Sequence, residues 1–219
     1  MFIRIMEISW ESSRLVLFPL TVAAFGLPLL SVQGFGVDPT ASNLASLDPW
    51  LPLYPLLALT CGFSLALSVW NWDHQEDHIY SLVLPVSRWG WAVEKMTSGV
   101  LLLAIPSFTF MIGAYLATAT LTVPDGLNTY AMDLSLRFFY ASLVAYAAMF
   151  ALAAGSIRTA LMVMGGTLTF FVFGQVVASF VSFALGGPDL FLFGAFVEVL
   201  SAWPGPMHVF LGDWLLVDV

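Results

Sequence analysis

The sequence predicts an all-α membrane protein: a polytopic helix bundle with five transmembrane helices, an amino-terminal interfacial helix and a broken or re-entrant carboxy-terminal segment. Apolar residues make up 60% of the chain and charged residues only 9%, which lies outside the range of soluble globular proteins. Five intervals lack Asp, Glu, Lys and Arg, and each has at least the roughly 20 residues that a helix needs to cross about 30 Å of hydrocarbon. These intervals are residues 15–37, 49–72, 96–124, 138–157 and 159–188. They are too long and too uniformly apolar for barrel strands, so we expect helices.

Residues 1–14 are predicted to form the interfacial helix that precedes the membrane domain of residues 15–188. Four charged residues recur at helical spacing and share one face: Arg4, Glu7, Glu11 and Arg14. Ile3, Met6 and Trp10 occupy another face, with the Trp suited to the headgroup level. A solvated lead-in to the first span is the alternative. The five spans are then expected over residues 15–32, 50–70, 96–123, 138–157 and 159–185.

The basic residues predict the orientation. With a cytoplasmic amino terminus, Arg137 alone of the six basic residues lies outside. That distribution satisfies the positive-inside rule and predicts a multi-pass protein of the cell (inner) membrane. The net charge of −8 arises mostly from acidic residues in the outer loops, and no basic patch exists to neutralise phosphates. We therefore expect no nucleic-acid partner.

A polar stretch of residues 71–95 separates spans two and three. Read as a helix, it places Asp73, Glu76, Asp77 and Tyr80 on one side. Pro85 would end that helix, and Ser87 would cap the next one, which begins at Arg88 and leads into span three. A charged segment between spans must contact water or a partner, and the pattern favours a docking surface over a catalytic site.

Two histidines in this stretch are a weak candidate for a metal site. His74 and His78 are four residues apart, which would place both on one helix face. A third fixed ligand is missing from the pattern, so a solvated, partner-facing surface is the preferred interpretation.

Two features inside the later spans predict helix contacts. Ala147, Ala151 and Gly155 form a stripe of small residues at spacing four, which favours close helix packing in span four. Gln175 lies near the middle of span five, where a buried amide needs a partner. A hydrogen bond between helices is favoured there over a substrate contact.

The carboxy-terminal segment, residues 189–219, is divided by Trp-Pro-Gly-Pro at 203–206. Two prolines in four residues should break any helix, and neither half is long enough to cross a bilayer alone. A broken sixth span, a re-entrant hairpin and two interfacial helices outside the membrane all remain open. The outer, partly embedded arrangements are preferred.

Missing motifs argue against an enzyme and against a cofactor. The chain has no G-x₄-G-K-[ST] phosphate loop. Its predicted spans carry no carboxylate, His, Lys or Arg at mid-membrane depth, which argues against a proton- or ion-coupled secondary transporter. The three histidines do not form a convincing pair of haem ligands across two spans. Cys61 is the single cysteine, so an internal disulfide is impossible.

The segment D-H-I-Y-S-L-V-L-P-V-S-R at residues 77–88, followed by Glu94-Lys95, resembles permease subunits of ABC-2 type transporters. The shared features are an acidic turn after span two, a leucine-rich segment, P-[VLI]-S-R and a lysine opening span three. His78-Ile79 replaces the Gly-Thr that commonly follows the acidic residue. The family's clean sixth span, with a basic cytoplasmic end, also has no counterpart after residue 200.

The resemblance implies that the polar stretch is a coupling helix that docks on a separate P-loop ATPase subunit. It also implies that the chain pairs as a dimer with itself or a similar permease in the lipid bilayer, and that it moves an apolar or amphipathic substrate. The implied docking residues are Asp73, Glu76, Asp77, Tyr80, Leu84, Pro85, Ser87, Arg88 and Lys95. The alternative is a non-transporting accessory subunit, derived from such a permease, in a larger electron-transfer or photosynthetic membrane complex.

Overall fold

The computed structural model of the protein describes residues 2–33, 52–75, 87–120, 128–155, 206–210 and 214–218, with isolated residues between 158 and 177. Four long helices carry most of this structure: α1 (Phe2–Gln33), α2 (Leu53–Gln75), α3 (Arg88–Thr120) and α4 (Ala131–Ala153). Two short strands, β1 (Asn128–Thr129) and β2 (Val217–Asp218), pair antiparallel. A 3₁₀ helix covers Pro206–Phe210. The chain divides into one unit of Met1–Ala154 with Asp213–Val219 and a second unit of Gly155–Gly212.

All four long helices are long and apolar enough to cross a membrane. The prediction of a helical, membrane-embedded protein is confirmed, and the first four predicted spans overlap these helices. The fifth span (159–185), with Gln175, lies outside the continuously described residues, although the isolated described residues between 158 and 177 are helical.

Helix α1 is continuous where a boundary was predicted between an interfacial helix and span one. Pro19 and Pro28 lie inside the helix without ending it, and Ser13 donates from its hydroxyl to the Ser9 carbonyl oxygen of the same helix at 2.6 Å. At about 1.5 Å per residue, the 32-residue helix is about 48 Å long, against about 30 Å of hydrocarbon. The surplus length coincides with the charged first turns. The four charged residues named above are all exposed, as their spacing predicted.

Helices α1 and α3 pack side by side and run parallel. The Ser9 and Ser98 hydroxyls hydrogen-bond at 3.1 Å, and Gly113 lies against the backbone carbonyl of Phe25. Both contacts join residues 88 or 89 positions apart, which is the signature of parallel helices in a constant register. The buried α1 face includes Ile5, so the exposed Ile3 and Trp10 point away from the bundle.

Helices α2 and α4 form a second parallel pair, joined where Gly62 meets Ser142 and Ala145. A Cβ added to Gly62 would lie 2.5 Å from the Ser142 carbonyl oxygen and 2.7 Å from the Ala145 Cβ. Farther along, the rings of Trp70 and Phe150 lie 5.1 Å apart between centroids. Glycine lets the two backbones approach closely, so a small-residue contact joins α2 and α4.

The small residues that make this contact differ from the predicted stripe. Ala151 and Gly155 are exposed and Ala147 is only half-buried, whereas Ala141 and Ala145 are fully buried. Both sets satisfy a spacing of four, so spacing alone does not select between them. The position of Gly62 on the opposing helix decides which set packs.

The two pairs, α1–α3 and α2–α4, lie antiparallel to each other. Ser12 donates to the Ser68 carbonyl oxygen at 2.9 Å, and the Ser31 and Tyr54 hydroxyls hydrogen-bond at 2.7 Å. Residues with higher numbers in α1 therefore contact residues with lower numbers in α2, as in antiparallel helices. We call the end of the bundle that holds Phe2, Gln75, Arg88 and Ala153 the polar-loop end, and the opposite end the strand end.

An aromatic cluster fills the core between the two pairs. Phe110 of α3 stacks on Phe138 of α4 with ring centroids 4.2 Å apart and an interplanar angle of 5°. Tyr54 of α2 meets the same Phe110 ring edge-on at 5.7 Å. Offset stacks and edge-to-face contacts are the favourable aromatic geometries, so this cluster fixes three helices against one another.

The strand end is closed by the carboxy-terminal tail. The Tyr130 N–H donates to the Leu216 carbonyl oxygen at 2.9 Å beside the β1–β2 pair. Trp214 is buried, and the Arg137 guanidinium lies over its ring at 5.1 Å from the centroid. Since Val217 is in a strand, an unbroken helix from 190 to 217 is excluded, as predicted. Residues 203–205, where the break was expected, lie outside the described residues.

Candidate functional site

The candidate site is the polar-loop end, where residues 76–86 connect α2 to α3. Helix α2 extends to Gln75, five residues beyond the predicted end of span two, so Asp73 and His74 belong to its last turn. Asn71, one turn earlier, is exposed. The predicted docking residues Glu76, Asp77, Tyr80, Leu84 and Pro85, together with His78, lie outside the described residues.

Ser87 caps α3, as its position predicted. The Gly90 N–H donates to the Ser87 hydroxyl oxygen at 3.2 Å, and the Trp91 N–H donates to the Ser87 carbonyl oxygen at 3.1 Å. Arg88 is the first helical residue. The cap satisfies a backbone donor that the first helical turn leaves unpaired, and it fixes the point at which the polar stretch becomes helix.

Lys95 was predicted as a docking residue, but the structure places its side chain inside the bundle. It is only 2% exposed, and its Nζ donates to the Val69 carbonyl oxygen of α2 at 3.0 Å. Helical spacing puts Lys95 on the same buried α3 face as Trp91 and Ser98. The side chain therefore ties α3 to α2 instead of facing a partner.

Two indole rings surround this ammonium group. The Lys95 Nζ lies 4.6 Å from the centroid of the Trp70 ring and 5.5 Å from that of the Trp91 ring. The negative faces of aromatic rings attract a cation, most strongly when both are desolvated. Within the described part of the chain, the Trp91 indole N–H has no acceptor, so this residue contributes its ring rather than a hydrogen bond.

Buried hydroxyl groups surround Lys95 and extend the polar contacts across three helices. Ser98 donates to the Lys95 carbonyl oxygen at 2.9 Å, and its hydroxyl also meets Ser9 of α1. Tyr146 of α4 directs its hydroxyl to the Met96 carbonyl oxygen at 3.4 Å and lies directly over Gly99. Hydrogen bonds of this kind join membrane helices at about 0.6–2 kcal/mol each. The polar-loop end is consequently held by polar contacts.

An apolar groove of about 240 Å³ opens between α3 and α4. Two serines line it, but Ser107 and Ser135 donate to carbonyl oxygens of their own helices at 2.9 and 2.6 Å. The remaining lining side chains are Ala, Leu, Met and Phe. The groove thus offers an apolar surface and no polar group to orient a charged ligand.

The described residues hold no group of three or more His, Cys, Asp or Glu that could bind a metal ion. The side chain of His74 and the whole of His78 lie outside those residues, so the weak metal candidate stays a prediction. Sequence reasoning missed the interior position of Lys95. The signal was its spacing of four from Trp91 and three from Ser98, which places it on a face with buried neighbours.

Searches with protein-family models and against curated proteins and solved structures find no match to this chain.

Proposed function

We propose that the chain is a membrane permease subunit of an ABC-2 type transporter. It moves an apolar or amphipathic substrate with energy from a separate ATPase chain, and it pairs with itself or a similar permease. The observation that carries the proposal is the connection between α2 and α3: a polar stretch, ending in Pro-Val-Ser-Arg, that joins two membrane-length helices at one end of the bundle. The proposed docking surface comprises the acidic and leucine-rich residues of that connection.

The geometry around the connection supports a mechanical role. Ser87 fixes where α3 begins, and two turns later Lys95 ties α3 to Val69 of α2. Both helices are therefore held together close to the point where a docked partner would push or pull. The apolar groove between α3 and α4 supports an apolar or amphipathic substrate over a charged one.

The proposed orientation places the polar-loop end in the cytoplasm of the cell (inner) membrane. In a Cys61→Ala background, a cysteine at Asn71 should react with a membrane-impermeant thiol reagent from the cytoplasm only. A cysteine at Asn43 should react from the outside only, because the basic residues set the orientation. Labelling of the Asn43 position from the cytoplasm alone would reverse the orientation and separate the connection from any cytoplasmic ATPase.

Substitutions in the connection test the docking proposal. We expect Asp77→Lys and Leu84→Asp to weaken association with the ATPase subunit while leaving membrane insertion intact. An apolar anchor or a paired charge at a packed interface contributes about 1–4 kcal/mol, which corresponds to roughly a 5- to 1,000-fold loss of affinity. The measurement is the amount of ATPase that co-purifies with the permease and the ATP-dependent export that it drives.

The control for these substitutions is Asp133→Lys, a charge reversal at an exposed site in the first turn of α4 at the strand end. It should leave ATPase association unchanged. Normal co-purification and normal export in both Asp77→Lys and Leu84→Asp would contradict the docking assignment.

A second candidate function is that of a non-transporting accessory subunit derived from such a permease. The observation that favours it is the tail, which ends in a strand paired with β1 where the family has a sixth span with a basic cytoplasmic end. Purification from native membranes separates the two functions. A co-purifying P-loop ATPase supports the permease, whereas stoichiometric electron-transfer or photosynthetic subunits support the accessory role.

A further inference from the structure

The contacts between the two helix pairs differ in kind at the two ends of the bundle. Toward the strand end, the cross-pair contacts are the Phe110 cluster and the Ser31–Tyr54 hydrogen bond. At the polar-loop end, three side chains of the described residues donate across the pairs to main-chain carbonyl oxygens. These donors are Lys95 to Val69, Ser12 to Ser68 and Tyr146 to Met96. Breaking such a contact removes one side-chain donor from the carbonyl oxygen and leaves the helix that contains it intact. The contact can therefore form again.

Lys95 is the charged member of this set. Burial of an ammonium group is costly unless carbonyl oxygens and ring faces replace its water, as they do here. Its contacts on the other pair include two adjacent residues of α2, Val69 and Trp70. A single side chain therefore holds the end of α2 against the start of α3.

Separation of the helices at this end would break the contacts of Lys95 but would also let water hydrate its ammonium group. The lysine stem is long and flexible, and its ammonium group would be hydrated as soon as water reached it. The stacked rings of Phe110 and Phe138 at the other end gain nothing comparable, because a phenyl ring forms no strong hydrogen bonds with water. The free-energy balance of opening is thus most favourable at the polar-loop end.

We propose that Lys95 is a releasable latch between the two helix pairs. In the structure the latch is closed, and its release opens the bundle at the polar-loop end while the aromatic cluster keeps the strand end together. The trigger for release, a pull on the connection by a docked ATPase, rests on the proposed function. The latch itself is argued from the contacts of Lys95 with Val69 and Trp70 and requires no partner protein.

Distances between spin labels test the latch in the purified full-length chain. In a Cys61→Ala background, one pair of cysteines replaces Asn71 and Trp89 near the polar-loop end. A second pair replaces Leu56 and Ile112 toward the strand end. All four positions are exposed. We expect Lys95→Met to add a longer-distance population for the first pair and to leave the second unchanged.

Backbone amides in the last turns of α2 should exchange with deuterium about 10- to 100-fold faster in Lys95→Met, as expected for loss of a hydrogen bond from a charged group.

The matched control is Thr97→Val, two residues away on α3. Thr97 is exposed and donates to the Val93 carbonyl oxygen of its own helix, so its loss removes a hydrogen bond without touching α2. Both label pairs should keep their wild-type distances in that variant.

Unchanged distances at the polar-loop end in Lys95→Met would overturn the latch. Equal broadening at both ends, or loss of the folded bundle, would also overturn it, because Lys95 would then support the whole fold. None of these measurements uses an ATPase, so a failed latch and a failed docking surface are separable.

Discussion

Replacing Gly62 by leucine should destabilise the bundle by about 3 kcal/mol, one of the two largest effects that we expect from a single substitution. Even a methyl group at this position would lie 2.5 Å from the Ser142 carbonyl oxygen and 2.6 Å from the Tyr146 backbone nitrogen. Both atoms belong to the α4 backbone, so no rotamer change relieves the collision and α2 must move away from α4. Overpacking of this kind typically costs about 1–3 kcal/mol, and a backbone neighbour puts Gly62 at the upper limit.

The matched substitution for Gly62→Leu is Gly26→Leu. Nothing lies within 4 Å of a Cβ built at Gly26, so the same side chain should change the free energy of unfolding by less than about 0.5 kcal/mol. Cys61 supplies the measurement, because it is the single cysteine and is fully buried. A thiol-reactive fluorogenic dye should therefore report unfolding during a thermal scan in detergent. Equal unfolding temperatures for the two variants would contradict the close approach of α2 and α4.

Phe110→Ala should have the second large effect, about 2–4 kcal/mol of destabilisation. Phe110 is 0% exposed, stacks on Phe138 and receives the edge of Tyr54, so its removal leaves a cavity shared by three helices. Phe→Ala in a water-soluble core costs about 3–5 kcal/mol. The expected value here is somewhat lower, because lipid solvates the apolar groups of separated helices and only the packing contribution is lost.

Phe108 offers the control for this loss of packing. It lies two residues away on the same helix and is 59% exposed, so Phe108→Ala should change the unfolding temperature far less. The same Cys61 reactivity assay compares the two variants. A larger decrease in unfolding temperature for Phe108→Ala than for Phe110→Ala would contradict the assignment of Phe110 to the buried face of α3.

Local chemistry explains which parts of the fold were predictable from the sequence. The membrane helices follow from charge-free intervals, because the bilayer excludes charge whatever the neighbouring helices do. The Ser87 cap follows from Pro85, Ser87 and the helix after them, all within a few residues. One helix continues across residue 14, where the charge pattern predicted a change from an interfacial to a spanning segment, because a helix ends only where its backbone hydrogen bonds end.

Contacts between helices explain what the sequence did not predict. The packing face of α4 depends on Gly62, which is 80 residues away from Ser142 along the chain. Lys95 was assigned to the docking surface through the resemblance, and its burial depends on Trp70 and Val69 of another helix. The parallel pairing of α1 with α3 likewise rests on Ser9, Ser98 and Gly113, which a single-helix pattern does not connect.

The pairing of β1 with β2 separates the two extremities of the described chain. Phe2 begins α1 at the polar-loop end, whereas Val217 is joined to Thr129 at the strand end, just before α4 begins. With the four helices across a bilayer, the polar-loop end and the strand end would face different aqueous compartments. A peptide epitope fused before α1 and another fused after β2 would therefore be accessible from opposite faces of the membrane. The polar-loop end thus carries the exposed charges of α1, and the strand end carries a small sheet beside Trp214 and Arg137.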